Sequence, residues 1–118
     1  MTKVISKDEL KDKIHSITLI DVRDSYAYNF GHIQGAEDIP LENLENEFKQ
    51  KYSPEEKNIV IYGEDEQMGS EAVNKLENIG YNNIELYKDG FREWRHSHLP
   101  IKRGSLGQEM RESKEKEY

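Results

Sequence analysis

The chain has 118 residues, the length of one ordinary domain, with 35% charged and 34% hydrophobic residues and a formal net charge of −7. Such an acidic chain repels phosphate backbones, which disfavours general nucleic-acid binding, and no stretch approaches the roughly 18 apolar residues of a membrane-spanning helix. There is no cysteine, which excludes disulfides, thiolate nucleophiles, Cys-ligated zinc and iron–sulfur clusters.

Residues 1–8 turn charged before a secretory apolar run can form, so the expected location is cytoplasmic. Val4 and Ile5 form a short apolar pair. Ser6 with Glu9 three residues on is a capping-box pattern and predicts a helix over 7–14, with Leu10 and Ile14 facing a core. Residues 17–20 are a continuous apolar run with β-branched members, the pattern of a strand buried on both faces. Asp21, Val22, Arg23 and Asp24 stand at its carboxyl end, and 25–30 reads as a short helix. Gly31 and Gly35 punctuate a loop over 31–36, and Pro40 biases Ile39 toward extended backbone.

Leu41, Leu44 and Phe48 share one helical face, which predicts a helix over 41–50. After a polar turn at 53–58, residues 59–62 form the second buried strand. Residues 63–68 read as a loop. A helix follows from 69 or 70 to 79, with Ala72, Val73, Leu76 and Ile79 as its apolar stripe and Gly80 as its stop. Ser70 is a candidate N-cap for it. A third strand at 84–87, a turn at Asp89 and Gly90, and a helix over 91–96 anchored by Phe91 and Trp94 complete the pattern. Alternating strands and helices predict a mainly parallel sheet of four or five strands between helical layers. The domain is placed at 1–101. The charged stretch 102–118 is expected to be a disordered or loosely helical tail.

Three pieces of this sequence resemble the rhodanese-like family. Leu19, Ile20, Asp21, Val22 and Arg23, then Phe30 to Ala36, then Ile39, Pro40 and Leu41 are similar to its amino-terminal signature. The strand 59–62 with its following loop and helix is similar to its active-site unit. Residues 87–94 with Leu99 and Pro100 are similar to its carboxyl-terminal signature, with Asp89 where glycine is common. The resemblance implies a rhodanese-like three-layer α/β/α sandwich. It also implies a catalytic cysteine at the first loop position, whose thiolate takes sulfur as a persulfide held by the loop's N–H groups, often with an arginine at the last position.

Counted back from Gly80, those positions are Gly63 and Met68, and Glu64, Asp65, Glu66 and Gln67 lie between them. Nucleophile, cation and loop charge all differ together, so the resemblance leads to a domain without sulfurtransferase activity. The acidic run is read as solvated surface near a helix's positive end, or as a carboxylate folded onto the loop's own N–H groups. Three adjacent carboxylates without further ligands make a poor metal site. Asp21 and Arg23 belong to the family's active-site rim, and here they read as a structural pair. His32 takes a structural task, and His15, His96 and His98 read as surface residues rather than metal ligands.

The leading expectation is a binding or regulatory module, with no cofactor, no metal and no membrane or nucleic-acid partner. Its working rim is set at residues 63–69 and 30–36, where the acidic charge prefers a protein partner with a basic surface. Two further readings are an enzyme of different chemistry using Glu64, Asp65 or Glu66 as acid, base or metal ligand, and an accessory protein that docks a persulfide carrier.

Overall fold

The computed structural model describes residues 2–104, so the expected tail lies outside the described residues from position 105 onward. The strands β1 (Lys3–Ile5), β2 (Thr18–Asp21), β4 (Glu37–Asp38), β5 (Ile59–Tyr62) and β6 (Ile84–Tyr87) form one sheet in the order β1-β6-β5-β2-β4. Every neighbouring pair in it is parallel. Helices α1 (Lys7–Lys13), α2 (Ser25–Phe30), α3 (Leu44–Lys51), α4 (Glu66–Glu77) and α5 (Gly90–His96) complete the domain. A separate two-stranded antiparallel ribbon joins β3 (His32–Ile33) to β7 (Ile101–Lys102). The fold is the expected α/β sandwich, its main sheet five-stranded.

The centre of the sheet explains the layering. All four residues of β5 are buried. Side chains alternate along a strand, so Ile59 and Ile61 enter one core with Phe48, Val73 and Leu76, while Val60 and Tyr62 enter the other with Leu10, Phe91 and Trp94. Each such aliphatic side chain contributes about 1.5–3 kcal/mol by leaving water. A strand with two buried faces therefore needs helices on both sides, and α3 and α4 cover one face while α1 and α5 cover the other.

The sequence pattern and the structure differ in a few places. The Val4–Ile5 pair is part of edge strand β1, with Ile5 buried and Val4 49% exposed. The helix placed at 41–50 is a 3₁₀ turn, Leu41–Asn43, followed by α3. The backbone before that turn is committed to the end of β2: the N–H groups of Ile39 and Leu41 donate to the Asp21 and Val22 carbonyls at 3.0 and 2.9 Å. Lys102, placed in the tail by the sequence reading, lies within β7, and the Gly104 N–H donates to the Asn29 carbonyl at 2.9 Å. Helix α4 begins at Glu66 rather than at 69 or 70, which reshapes the candidate site.

Candidate functional site

The carboxyl ends of β2 and β5 lie side by side, with Asp21 paired to Tyr62 in the register. Ligand sites in open parallel sheets lie at this edge, where the connecting loops start. The loop after β5 holds only Gly63, Glu64 and Asp65 before α4 begins. Glu66, Gln67 and Met68, placed in the loop by the sequence reading, form the first turn of the helix.

Asp65 explains the early start. Its Oδ1 accepts from the Met68 N–H at 3.1 Å, which makes Asp65 the N-cap and not Ser70. A free N–H at a helix start favours an anion, and a carboxylate one residue ahead is the nearest one. Of the readings open for the acidic run, Asp65 takes the one in which a carboxylate folds back onto local N–H groups. Glu64 turns the other way and pairs with Arg23 at 3.3 Å and with Arg92 at 3.9 Å. Glu66 and Gln67 are exposed.

Position 63 is closed as well as empty. A Cβ built on Gly63 would lie 2.7 Å from Met68 Cβ, 2.8 Å from Met68 Cγ and 3.0 Å from the Gly69 nitrogen. The space into which a side chain at 63 would project is therefore held by Met68. On its other side the loop is bound to α5. The Phe91 N–H donates to the Gly63 carbonyl at 2.9 Å, and the Arg92 N–H to the Glu64 carbonyl at 3.3 Å. Gly90 permits this approach, because its φ of +76 suits glycine and a Cβ there would lie 2.7 Å from the Glu64 oxygen.

Beneath the loop sits a buried polar network. Asp21 is 0% and Arg23 5% exposed. Arg23 Nη2 donates to Asp21 Oδ2 at 2.8 Å, and Nε lies 3.1 Å from Oδ1. The Arg23 backbone N–H donates to Oδ1 at 2.9 Å, and the Tyr62 hydroxyl donates to Oδ2 at 2.6 Å. Tyr62 in turn accepts from the Ile33 N–H at 3.1 Å. Arg23 also donates to the Gly31 carbonyl and lies 4.0 Å above the Phe91 ring.

Burial pulls the pKa of the Arg23 guanidinium down, but the hydrogen bond to Asp21 and that residue's charge outweigh it, and the net shift is upward. Burial, then the charge and hydrogen bond of Asp21, hold the Tyr62 phenol well above its ordinary value. Tyr62 stays a neutral donor, so both carboxylate oxygens of Asp21 are satisfied. The role of Tyr62 was missed in the sequence; the signal was a hydroxyl-bearing residue ending an otherwise aliphatic buried strand.

His32 is buried in β3. Its Nδ1 lies 2.8 Å from the Tyr28 carbonyl, which only accepts, so the proton sits on Nδ1. The ring stacks on Tyr28 with centroids 3.7 Å apart. His32 thus ties α2 to the ribbon and faces no nucleophile. Among the described residues, no group of three or more His, Asp or Glu is gathered as metal ligands would be. No described helix is long and apolar enough to cross a membrane.

A wholly parallel sheet between helices, with a strand–turn–helix unit on its carboxyl edge over a buried Asp–Arg pair, defines a small three-layer α/β domain with its candidate site at the strand ends. The chain belongs to the rhodanese-like domain family, which matches residues 6–97. It is 31% identical over 85 residues to the thiosulfate sulfurtransferase GlpE of Tolumonas auensis, covering 71% of this chain and 77% of that one. It is 33% identical over 91 residues to the HTH-type transcriptional regulator Rv0324 of Mycobacterium tuberculosis, covering 75% of this chain but only 39% of the regulator. Among solved structures, the rhodanese-like domain of the Alr3790 protein from Anabaena matches with a TM-score of 0.78 and 29% identity, over 87% of this chain and 80% of that one.

Proposed function

We propose that this domain is a catalytically inactive rhodanese-like module, a cytoplasmic binding or regulatory unit that recognises a protein partner and stands beside sulfur chemistry without performing it. The observation that carries this reading is the contact between Gly63 and Met68. The chain has no thiol to hold a persulfide, and Met68 stands within 2.7 Å of where a nucleophile's Cβ would lie. The two features reinforce each other: glycine at 63 leaves no reacting atom, and Met68 takes the space in which a side chain at 63 would begin.

A groove of about 400 Å³ runs past Met68 and supports a basic partner. Val22, Pro40, Leu41 and Met68 give it an apolar floor, and Asp24, Glu42 and Glu71 outnumber Lys75 on its rim. Lysine and arginine side chains match such a surface, with an apolar stem for the floor and a cation for the rim. The likeness to a transcriptional regulator about twice as long supports a regulatory setting. The rival reading, an enzyme built on the acidic run, has no observation behind it: Glu64 is engaged by arginines, Asp65 caps α4 and Glu66 is exposed.

Two measurements test the proposal. After incubation with a persulfide donor, the intact mass should be unchanged; a stable sulfur adduct would remove the inactive reading. Proteins captured from native lysate by the wild type should be lost with Glu42→Ala/Glu71→Ala and should elute at raised salt. An unchanged set of captured proteins would mean that the groove is not the binding face.

A further inference from the structure

A second cleft, of about 210 Å³, lies where Arg23, Glu64 and Phe91 meet Arg95 and Arg103. Its charge is opposite to that expected of the rim: three guanidiniums face one carboxylate, in a chain whose net charge is −7. Its remaining walls are apolar and include Ala27, Phe30 and Ile101. Phe30 is 37% exposed, and the cleft is where that surface opens.

The cations are placed by the fold. Arg95 stands in the last turn of α5. Arg103 is fixed from both sides, since Lys102 before it pairs with His32 in the ribbon and the N–H of Gly104 after it donates to Asn29. Neither Arg95 nor Arg103 has a carboxylate within ion-pair distance among the described residues. Arg23 alone is balanced, by Asp21 and by the half-buried Glu64. Extended backbone at Gly31 lets the cleft reach Phe91, because a Cβ there would lie 3.4 Å from that ring.

We propose that this cleft binds a small oxyanion carried on an apolar group, an aryl carboxylate or aryl phosphate. The guanidinium forks of Arg95 and Arg103 match two oxygens of such a headgroup, and the Phe30–Ile101 surface covers its ring. The size is adequate, since a cavity of about 150 Å³ already admits benzene. The site is distinct from the position where sulfur chemistry would occur, because Gly63 and Met68 do not line it. It is likewise independent of the basic-partner groove. Glu64 acts as a competitor, its carboxylate holding Arg23 until an anion takes its place.

The test is titration with phenyl phosphate and benzoate, read by backbone amide NMR shifts. Both should give saturable shifts centred on Phe30, Gly31, Ile101 and Arg103, with inorganic phosphate weaker and benzyl alcohol silent. Arg95→Ala/Arg103→Ala should weaken binding at least about tenfold while the rest of the spectrum stays native. Glu64→Gln should tighten it. Unsaturable shifts, an unchanged affinity in the double variant, or inorganic phosphate binding as tightly as phenyl phosphate would each overturn the proposal.

Discussion

The loop after β5 separates two regions that treat their polar groups in opposite ways. On its inner side, Asp21, Arg23 and Tyr62 form a buried network in which the carboxylate oxygens, the guanidinium and the phenol all have partners. On its outer side, position 63 has no side chain and the Cβ and Cγ of Met68 fill the space. The inner region cannot be dismantled piecemeal, since removing one member strands a buried charge. The outer region carries no such penalty, because an apolar group in place of a reactive one leaves nothing unpaired. The fold can therefore lose its reaction and keep the wiring beneath it.

The largest expected effect breaks the inner region. Arg23→Ala or Asp21→Asn should cost about 3–5 kcal/mol, read as a lower urea midpoint. Because whole domains hold only about 5–15 kcal/mol, either change brings this one close to unfolding. A loss below about 1 kcal/mol would show that the network is not what holds the loops.

The outer region should respond to overfilling. Gly63→Cys puts a Cβ into Met68 and should cost about 1–3 kcal/mol. Thiosulfate-to-cyanide sulfur transfer should stay at background, since Glu66, Gln67 and Met68 are wound into helix instead of open loop. Introducing the same cysteine into a Met68→Gly background, which lacks both the Cβ and the Cγ it would meet, should cost less, and the double-mutant cycle measures the clash directly. Equal costs in both backgrounds would deny that Met68 closes the site.

A smaller effect lies at the junction of the two regions. Asp65→Ala removes the cap of α4 and should cost about 1 kcal/mol, with raised amide exchange in the first turn of that helix. Smallest near neutrality is the contribution of the tyrosines. Burial, then a hydrogen bond to Glu37, raise the Tyr52 phenol from 10.0 to about 12, and Tyr62 is also shifted upward. A raised folded-state pKa means stability fully present below pH 10 and lost as the pH rises through the folded values. Tyr52→Phe should flatten part of that alkaline loss in unfolding midpoints; an unaltered slope would place its cause elsewhere.

The inner region was more legible in the sequence than the outer one. Two apolar runs with their flanking helices announced β2 and β5, and Asp21 and Arg23 declared themselves by closing a strand with opposite charges. Short elements without periodicity were lost: β1 shows only Val4 and Ile5, and the β3–β7 ribbon pairs residues about seventy apart in sequence that carry no local signal. At the loop, the family pattern misdirected the reading. It implied six loop residues, whereas a local rule pointed the right way, since Asp65 followed by Glu66 is a helix start with an acidic first turn. That the acidic run would face arginines lay in the tertiary arrangement, because Arg92, Arg95 and Arg103 approach it only once α5 and β7 have docked.

The strand order also governs how the chain can fold. Among the described residues β1 pairs with β6 alone, with Val4 opposite Leu86, so the amino-terminal strand docks against a partner from the far end of the domain. Closing so long a loop costs entropy before any contact rewards it. The β2–β5–β6 centre joins strands nearer in sequence than β1 and β6 are, so it closes shorter loops, and the burial of Ile5 depends on the longest closure in the sheet.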